Sequence, residues 1–212
     1  MDLVEFIKSF PVNSFIKGEA LLSANEQTDT ILLIREGIVK VTSFSDDGNE
    51  RLLWLAGRYD IVPTESIFKS VTTPRYFYTA FSDGSAYVVN KKDLLDKAHS
   101  SIEVMTQVAR GLSEHHDDLL SHLNGIEQSN LRGKILYVLQ TVCEKFSGAD
   151  VVALHEMGLN LTHQEIADMV HASREAVSIE LKQLQKDGFV EYSRSSFTVY
   201  AAKIANEIVE SA

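Results

Sequence analysis

The stretch Thr162–Glu191, THQEIADMVHASREAVSIELKQLQKDGFVE, decides how the chain is read. Ile166, Ala167 and Val170 recur at helical spacing, and so do Val177, Leu181 and Leu184. Between the two sets lies His171-Ala172-Ser173. Ser173 is a good N-cap, because a hydroxyl there accepts from an amide of the first turn, and Arg174 and Glu175 follow it. Two short helices joined by so tight a turn form a helix-turn-helix. The N-terminal side chains of its second helix can face base edges in the major groove. Small Ala167 lets the helices cross closely, and Val177 fills the angle between them. The plainer alternative is a helical hairpin with no nucleic-acid partner.

Composition sets the outer limits. With 212 residues, 44% of them hydrophobic, the chain can bury one large core or two modest ones. No apolar run approaches the roughly 20 residues of a membrane span, and the N-terminus lacks a basic-then-apolar leader, so a soluble cytoplasmic protein without membrane contact is expected. One cysteine, Cys143, excludes a disulfide within the chain and a cluster held by several thiolates of one subunit. It lies on the apolar pattern Ile135, Leu136, Val138, Leu139, Val142, as a buried structural thiol would. No nucleophile–base pair, metal-ligand spacing or phosphate loop suggests an enzyme.

The formal charge of −10 argues against a protein that coats nucleic acid indiscriminately. Even beyond Leu131, Asp and Glu outnumber Lys and Arg. Specific binding to double-stranded DNA survives this if Arg174, Lys182, Lys186 and Arg194 form a stripe on one face. The acidic balance also keeps open a winged helix that serves only protein contacts.

Three parts are expected: a sensor β-barrel over 1–98, a long dimerisation helix over 99–129 and a DNA-binding domain over 130–212. The fold class is α+β. Short strand-like runs, Ile31–Ile34, Ile38–Phe44 and Arg51–Leu55, alternate with turn signals such as Asp46-Asp47-Gly48-Asn49, as in a jelly roll. From about Ser100 to Gln128, Met105, Val108, Leu112, His115, Leu119, His122 and Ile126 make a heptad-like stripe. Such a seam on a helix of roughly 40 Å predicts a twofold homodimer, the alternative being that the helix lies along its own barrel. On a twofold seam His115 and His122 would face their mates, sensing pH or holding a shared metal, or else set register. No metal site within one chain is expected. Asn130 offers an N-cap and a hinge before a helix over Ile135–Val142. Phe189–Tyr192 and Phe197–Tyr200 flank a polar tip as a two-stranded wing, a kind of element that touches phosphates.

Barrel, long helix and C-terminal winged helix-turn-helix, in that order, resemble the cyclic-AMP receptor protein and fumarate-nitrate regulator (CRP/FNR) superfamily of bacterial transcription factors. The most specific element is Leu161-Thr162-His163-Gln164-Glu165-Ile166-Ala167 followed by Ser173-Arg174-Glu175-Ala176-Val177, close to that family's T-x-x-E-I-A … S-R-E-x-V signature. The resemblance implies a regulator, such as an activator, that binds a palindromic operator and contacts RNA polymerase. His155 and Glu156 are polymerase-contact candidates by the same analogy. Arg174 and Glu175 occupy the base-reading positions, and their chemistry agrees: Arg bonds bidentately to guanine, and Glu accepts from cytosine N4. A third reading Arg is replaced by Ile179, leaving Ser178 or Ile179 for a thymine methyl or a phosphate. Thr162, His163, Gln164 and Ser173 fall at backbone-contact positions, with Lys182 and Arg194 as further phosphate candidates. His171 stands where the turn often carries Gly; positive φ is less comfortable for His, so a slightly altered turn is expected.

The effector is less legible. In the cyclic-AMP branch a Gly-Glu segment holds the ribose and an Arg-Ser pair the phosphate. Here Glu65 is the nearest ribose ligand, Arg75 is out of register and is followed by Tyr76, and His115 and His116 replace the adenine-contacting hydroxyls. Cyclic nucleotide is therefore disfavoured. An iron–sulfur cluster is excluded by the cysteine count, and haem is disfavoured because no His precedes His99. The run Pro74–Ala80 resembles the nitrogen-control branch, in which Arg75 would take a carboxylate. The alternative is a barrel filled by its own Tyr and Phe, with Arg75 paired to Glu65 or Asp60 and no small molecule required.

Overall fold

The structure, a computed structural model, describes residues 2–211 except 47, 49, 70–72, 148, 155–158, 160 and 194–195, and of 209–211 the backbone alone. The chain divides into two compact units, 1–43 with 54–117 and 44–53 with 118–212.

The first unit holds most of a jelly roll made of two four-stranded sheets. One has the order β1 (Val12–Phe15), β8 (Gly84–Asn90), β3 (Thr30–Glu36), β6 (Ile61–Val62). The other runs β2 (Ala20–Leu22), β7 (Phe77–Ala80), β4 (Val39–Phe44), β5 (Glu50–Ala56). The expected runs Ile31–Ile34, Ile38–Phe44 and Arg51–Leu55 fall in β3, β4 and β5. Ile31 through Ile34 are all buried, because β3 is covered on both faces. Ile31 and Leu33 join a cluster with the helical residues Leu3, Ile7, Leu94, Val104 and Val108, while Leu32 and Ile34 point to the opposite face. Gly37 turns the chain between β3 and β4 at φ +84°, and a Cβ there would lie 2.5 Å from the carbonyl oxygen of Asp83, so no other residue fits. Of the expected hairpin turn after Phe44, Asp47 and Asn49 lie outside the described residues, while Gly48 adopts φ +78°.

The helical cover comprises α1 (Leu3–Ile7), α2 (Lys91–Ser100) and the start of α3 (Ile102–Ile126). The first two are additions to the sequence reading. Asp2 and Asn90 cap them by accepting from the amides of Glu5 and Lys92. Extended Ser101 separates α2 from α3. The expected seam behaves differently along α3. Val108 is buried, and Met105 and Leu112 pack on the core of the first unit. Thr106, Ala109, Ser113, His116, Leu120 and Leu123 occupy another face at the same four–three spacing, and all six are exposed. A stripe of this period fits a core and a partner equally well, and here the core took the first one. His115 accordingly lies against Trp54, with ring centroids 4.0 Å apart.

The second unit is built on α4 (Leu131–Phe146), capped by Asn130, whose side chain accepts from the Gly133 amide. Then come β9 (Val152–Ala153), α5 (His163–Val170), α6 (Arg174–Lys186), β10 (Val190–Tyr192), β11 (Phe197–Val199) and α7 (Ala201–Ser211). The wing is three-stranded, in the order β10-β11-β9, because the short strand β9 adds to the expected pair. Ile135, Leu139, Ile166, Val170, Val177, Leu181, Leu184 and Ile204 are fully buried. Cys143 is buried too, and burial pushes its thiol up to about 12, so it stays protonated and inert. No helix among the described residues is long and apolar enough to cross a membrane.

Candidate nucleic-acid interface

The helix-turn-helix begins with a capping box. The Thr162 hydroxyl accepts from the Glu165 amide at 3.1 Å, and the Glu165 carboxylate accepts from the Thr162 amide at 2.7 Å. At the far end of α5, His171 adopts φ 53° and ψ 47°, an ordinary left-handed cap rather than the altered turn expected, and its amide donates to the Ala167 carbonyl. His is among the residues that tolerate this region. Ser173 then caps α6 by accepting from the Ala176 amide at 3.2 Å. Gly188, at φ +74°, ends α6 while the Phe189 amide reaches back to the Leu184 carbonyl.

Helical periodicity sorts α6 into two faces. Val177, Leu181 and Leu184 are buried, whereas Arg174, Glu175, Ile179 and Lys182 stand in solvent. Ile179 is 72% exposed, although solvent contact gives an isoleucine side chain no stabilisation. Ser178 is engaged twice: its Oγ lies 2.7 Å from the Arg174 carbonyl oxygen and 2.8 Å from Nδ1 of His163. Gln164 donates to the Asp168 carboxylate at 2.8 Å.

Beside this face lies an open groove of about 670 Å³, lined by Thr162, His163, Gln164, Arg174, Tyr192 and Ser193 among others. It gathers several of the sequence-derived phosphate candidates and adds Tyr192 and Ser193, which the sequence reading placed only as wing backbone. Tyr192 stacks on Phe197 at 5.7 Å and meets the His163 ring edge-on at 5.1 Å. Their signal was the strand alternation, which puts every second wing side chain on one face. Arg194 lies outside the described residues, as do His155 and Glu156.

A residue that the sequence did not single out, Arg132, ties α6 to its neighbours. Arg132 of α4 pairs with Asp187 at 2.9 Å and with Glu180 at 3.4 Å, its guanidinium 5.1 Å from the Phe189 ring centroid. Its Nε reaches Glu207 of α7 at 4.0 Å. One planar cation thus ties three helices together.

His122 and His171 meet in the second unit, with ring centroids 6.4 Å apart. Burial, then the neighbouring His171, lowers the pKa of His122, while the Leu52 carbonyl of the β5 segment opposes the shift. Burial, Arg51 and Lys134 lower that of His171. This meeting of two histidine rings lies within one chain.

In the first unit the sequence-derived effector residues fall into separate places. The Glu65 carboxylate accepts from the Tyr78 hydroxyl at 2.7 Å and from the Arg75 amide at 3.2 Å. The contact to Arg75 therefore runs through its backbone. Burial and the Glu65 charge raise the Tyr78 pKa far above its ordinary value, so the phenol stays a donor. His115 instead lines a cleft of about 200 Å³ with Trp54, Arg58, Tyr59, Thr64 and Glu114, which includes neither Glu65 nor Arg75. His116 is on the exposed face of α3. No group of three or more His, Cys, Asp or Glu side chains suited to a metal occurs among the described residues.

Comparison with known proteins matches both units. A model of the cyclic nucleotide-binding domain matches residues 12–101, and one of the Crp-like helix-turn-helix domain matches 134–201. The anaerobic regulatory protein of Bacillus subtilis is 23% identical over 199 residues, spanning 92% of this chain and 82% of that protein. The CRP-like cAMP-activated global transcriptional regulator of Mycobacterium tuberculosis is 25% identical over 191 residues, spanning 87% and 82%. The solved structure of FixK2 from Bradyrhizobium japonicum superposes with a TM-score of 0.77 at 16% identity, covering 93% of this chain and 96% of that one, a likeness of fold.

Proposed function

The chain belongs to the CRP/FNR superfamily of transcription regulators, and on that premise we propose that it acts as a twofold dimer reading a palindromic operator with α6. The observation that carries this reading is the solvent face of α6, where Arg174, Glu175, Ile179 and Lys182 stand exposed while Val177, Leu181 and Leu184 anchor the helix in the core. Arg174 bonds a guanine edge and Glu175 accepts from a cytosine amino group. Exposed Ile179 meets a thymine methyl. Thr162, His163, Gln164, Ser173 and Lys182 hold the flanking phosphates, with Tyr192 and Ser193 closing the groove from the wing. Thr162 and Ser173 serve both tasks, since a capping hydroxyl accepts from the backbone and keeps its own proton for a phosphate oxygen. Ser178 acts indirectly, through His163.

The second copy packs on the exposed face of α3 marked by Ala109, Ser113, His116, Leu120 and Leu123. Small residues in its first half allow close approach, and the two leucines supply apolar area. The two recognition helices then lie about one turn of DNA apart, roughly 34 Å. RNA polymerase is the partner that the resemblance implies for the bound dimer. Cyclic nucleotide is not the effector this barrel favours, because Glu65 is already engaged by Tyr78 and by the Arg75 amide. A small effector acts from the cleft beside His115, where it bears on α3 directly.

Selection of binding sites from random duplex DNA tests the reading. An inverted repeat with half-sites about one turn apart is the expected result. Recovery of no sequence at moderate salt, with the folded protein retained, would contradict it.

A further inference from the structure

His163 stands at the first position of α5, and its hydrogen bonding fixes which ring nitrogen carries the proton. Ser178 has one hydroxyl proton. Its Oγ lies 2.7 Å from the Arg174 carbonyl oxygen, an atom that can only accept, so the proton points there. The same Oγ lies 2.8 Å from Nδ1 of His163. With its proton already directed at the carbonyl, the hydroxyl can only accept from the ring, so the neutral imidazole is the Nδ1–H tautomer. Nε2 then carries a bare lone pair. Among the described residues it has no hydrogen-bond partner, and the ring borders the groove shared with Thr162, Arg174 and Tyr192.

A phosphodiester oxygen is an acceptor and cannot bond a bare lone pair. We propose that His163 is a proton-linked phosphate ligand, whose Nε2 must take up a proton from solvent before a DNA phosphate can bind it in the groove between α5 and the wing. The inference rests on the reading of the second unit as a DNA binder.

The surroundings give the linkage its direction. Partial burial lowers the His163 pKa in the free protein, and Arg174 and Lys182 of α6 lower it further. Tyr192, across the groove on β10, is kept neutral by a raised pKa of its own. On α5 itself, Glu165 is held by the Thr162 amide and Asp168 by Gln164. The free ring is therefore neutral near pH 7. An arriving phosphate offsets the two cations and accepts from Nε2–H, which raises the pKa in the complex. Binding then takes up a proton, and affinity falls as pH rises between the free and the complexed value.

The test is operator affinity against pH, from about pH 5.5 to about pH 8, for the wild type, His163→Asn and His163→Arg. Wild-type Kd is expected to rise with pH, with a slope approaching tenfold per pH unit for each His163 engaged. Asparagine keeps a donor toward Ser178 and takes up no proton, so its profile should be weak and flat. Arginine carries a permanent charge, so its profile should be tight and flat. Nitrogen-detected NMR of the wild type serves if a variant fails to fold: free His163 should show the Nδ1–H neutral form, and bound His163 should show both nitrogens protonated. A flat wild-type profile at an operator it binds, or a neutral ring in the complex, overturns the proposal. Absence of binding to any DNA at every pH overturns the reading of the second unit instead.

Discussion

Glu65 and Glu175 show two fates for a carboxylate, one in each unit of the chain. Glu65, in the first unit, is folded inward against the Tyr78 hydroxyl and the Arg75 amide. Glu175, in the first turn of α6, stands in solvent. The two arginines do not repeat this contrast: Arg75 meets Glu65 through its backbone amide alone and is exposed, as Arg174 is. Glu65, the nearest counterpart of a ribose ligand, is engaged in building the barrel, whereas Arg174 and Glu175 are turned outward by the cap and core of the second unit.

Four substitutions or conditions break or sharpen this contrast, in descending order of effect. Leu181→Ala removes a fully buried side chain beneath the reading face and should cost about 2–5 kcal/mol of stability, read by denaturant unfolding. Arg174→Ala should cost about 1–3 kcal/mol of operator affinity, concentrated at one base pair, with no loss of fold. Arg132→Ala should cost about 1–2 kcal/mol by breaking the ties to Asp187 and Glu180. If it weakens operator binding beyond what its stability loss explains, Arg132 also sets the angle of α6. Glu65→Gln should lower the stability of the first unit by about 1 kcal/mol, leaving operator affinity unchanged. A loss of DNA binding in that variant would show the two halves to be less separate than their chemistry suggests.

The His122–His171 pair gives a pH dependence of opposite character. Both pKa values are lowered in the folded chain, so above about pH 6.5 neither histidine is charged in either state. As pH falls below that value the unfolded chain binds protons that the folded chain resists, and stability declines until the lowered folded pKa is reached. Thermal unfolding across about pH 5 to 7.5 should show this slope, reduced in His122→Gln. An equal slope in that variant would place the effect elsewhere. His163, whose pKa is lowered too, adds to the same slope, so His163→Asn should also reduce it.

Much of this arrangement was legible in the sequence because it is written in local chemistry. The caps at Ser173 and Asn130, the turn at His171, the burial of Cys143 and the wing all follow from residue type and spacing within a few positions. The first turn of α6 with its exposed Arg174 and Glu175 belongs to the same class. The parts not foreseen depend on contacts between distant residues. No spacing rule links Arg132 to Asp187 and Glu207, or Tyr78 to Glu65, and β9 is too short to carry a periodic signal. The α3 stripe shows the limit most clearly, since Met105, Val108 and Leu112 read equally well as a core and as a partner surface. The exposed set from Ala109 to Leu123 was hidden by its small and polar members. The pairing of His163 with Ser178, fifteen residues on, could be found only once both helices were in place.

The account stands most directly on Arg174, and the decisive measurement is a cycle between that residue and its base pair. Affinities are needed for wild type and Arg174→Ala on the selected operator and on operators substituted at each guanine in turn. The wild type should lose about 1–3 kcal/mol at one symmetry-related guanine, and the variant should be indifferent there while keeping its other preferences. If Arg174→Ala discriminates at every position as the wild type does, the exposed face of α6 is not what reads the DNA.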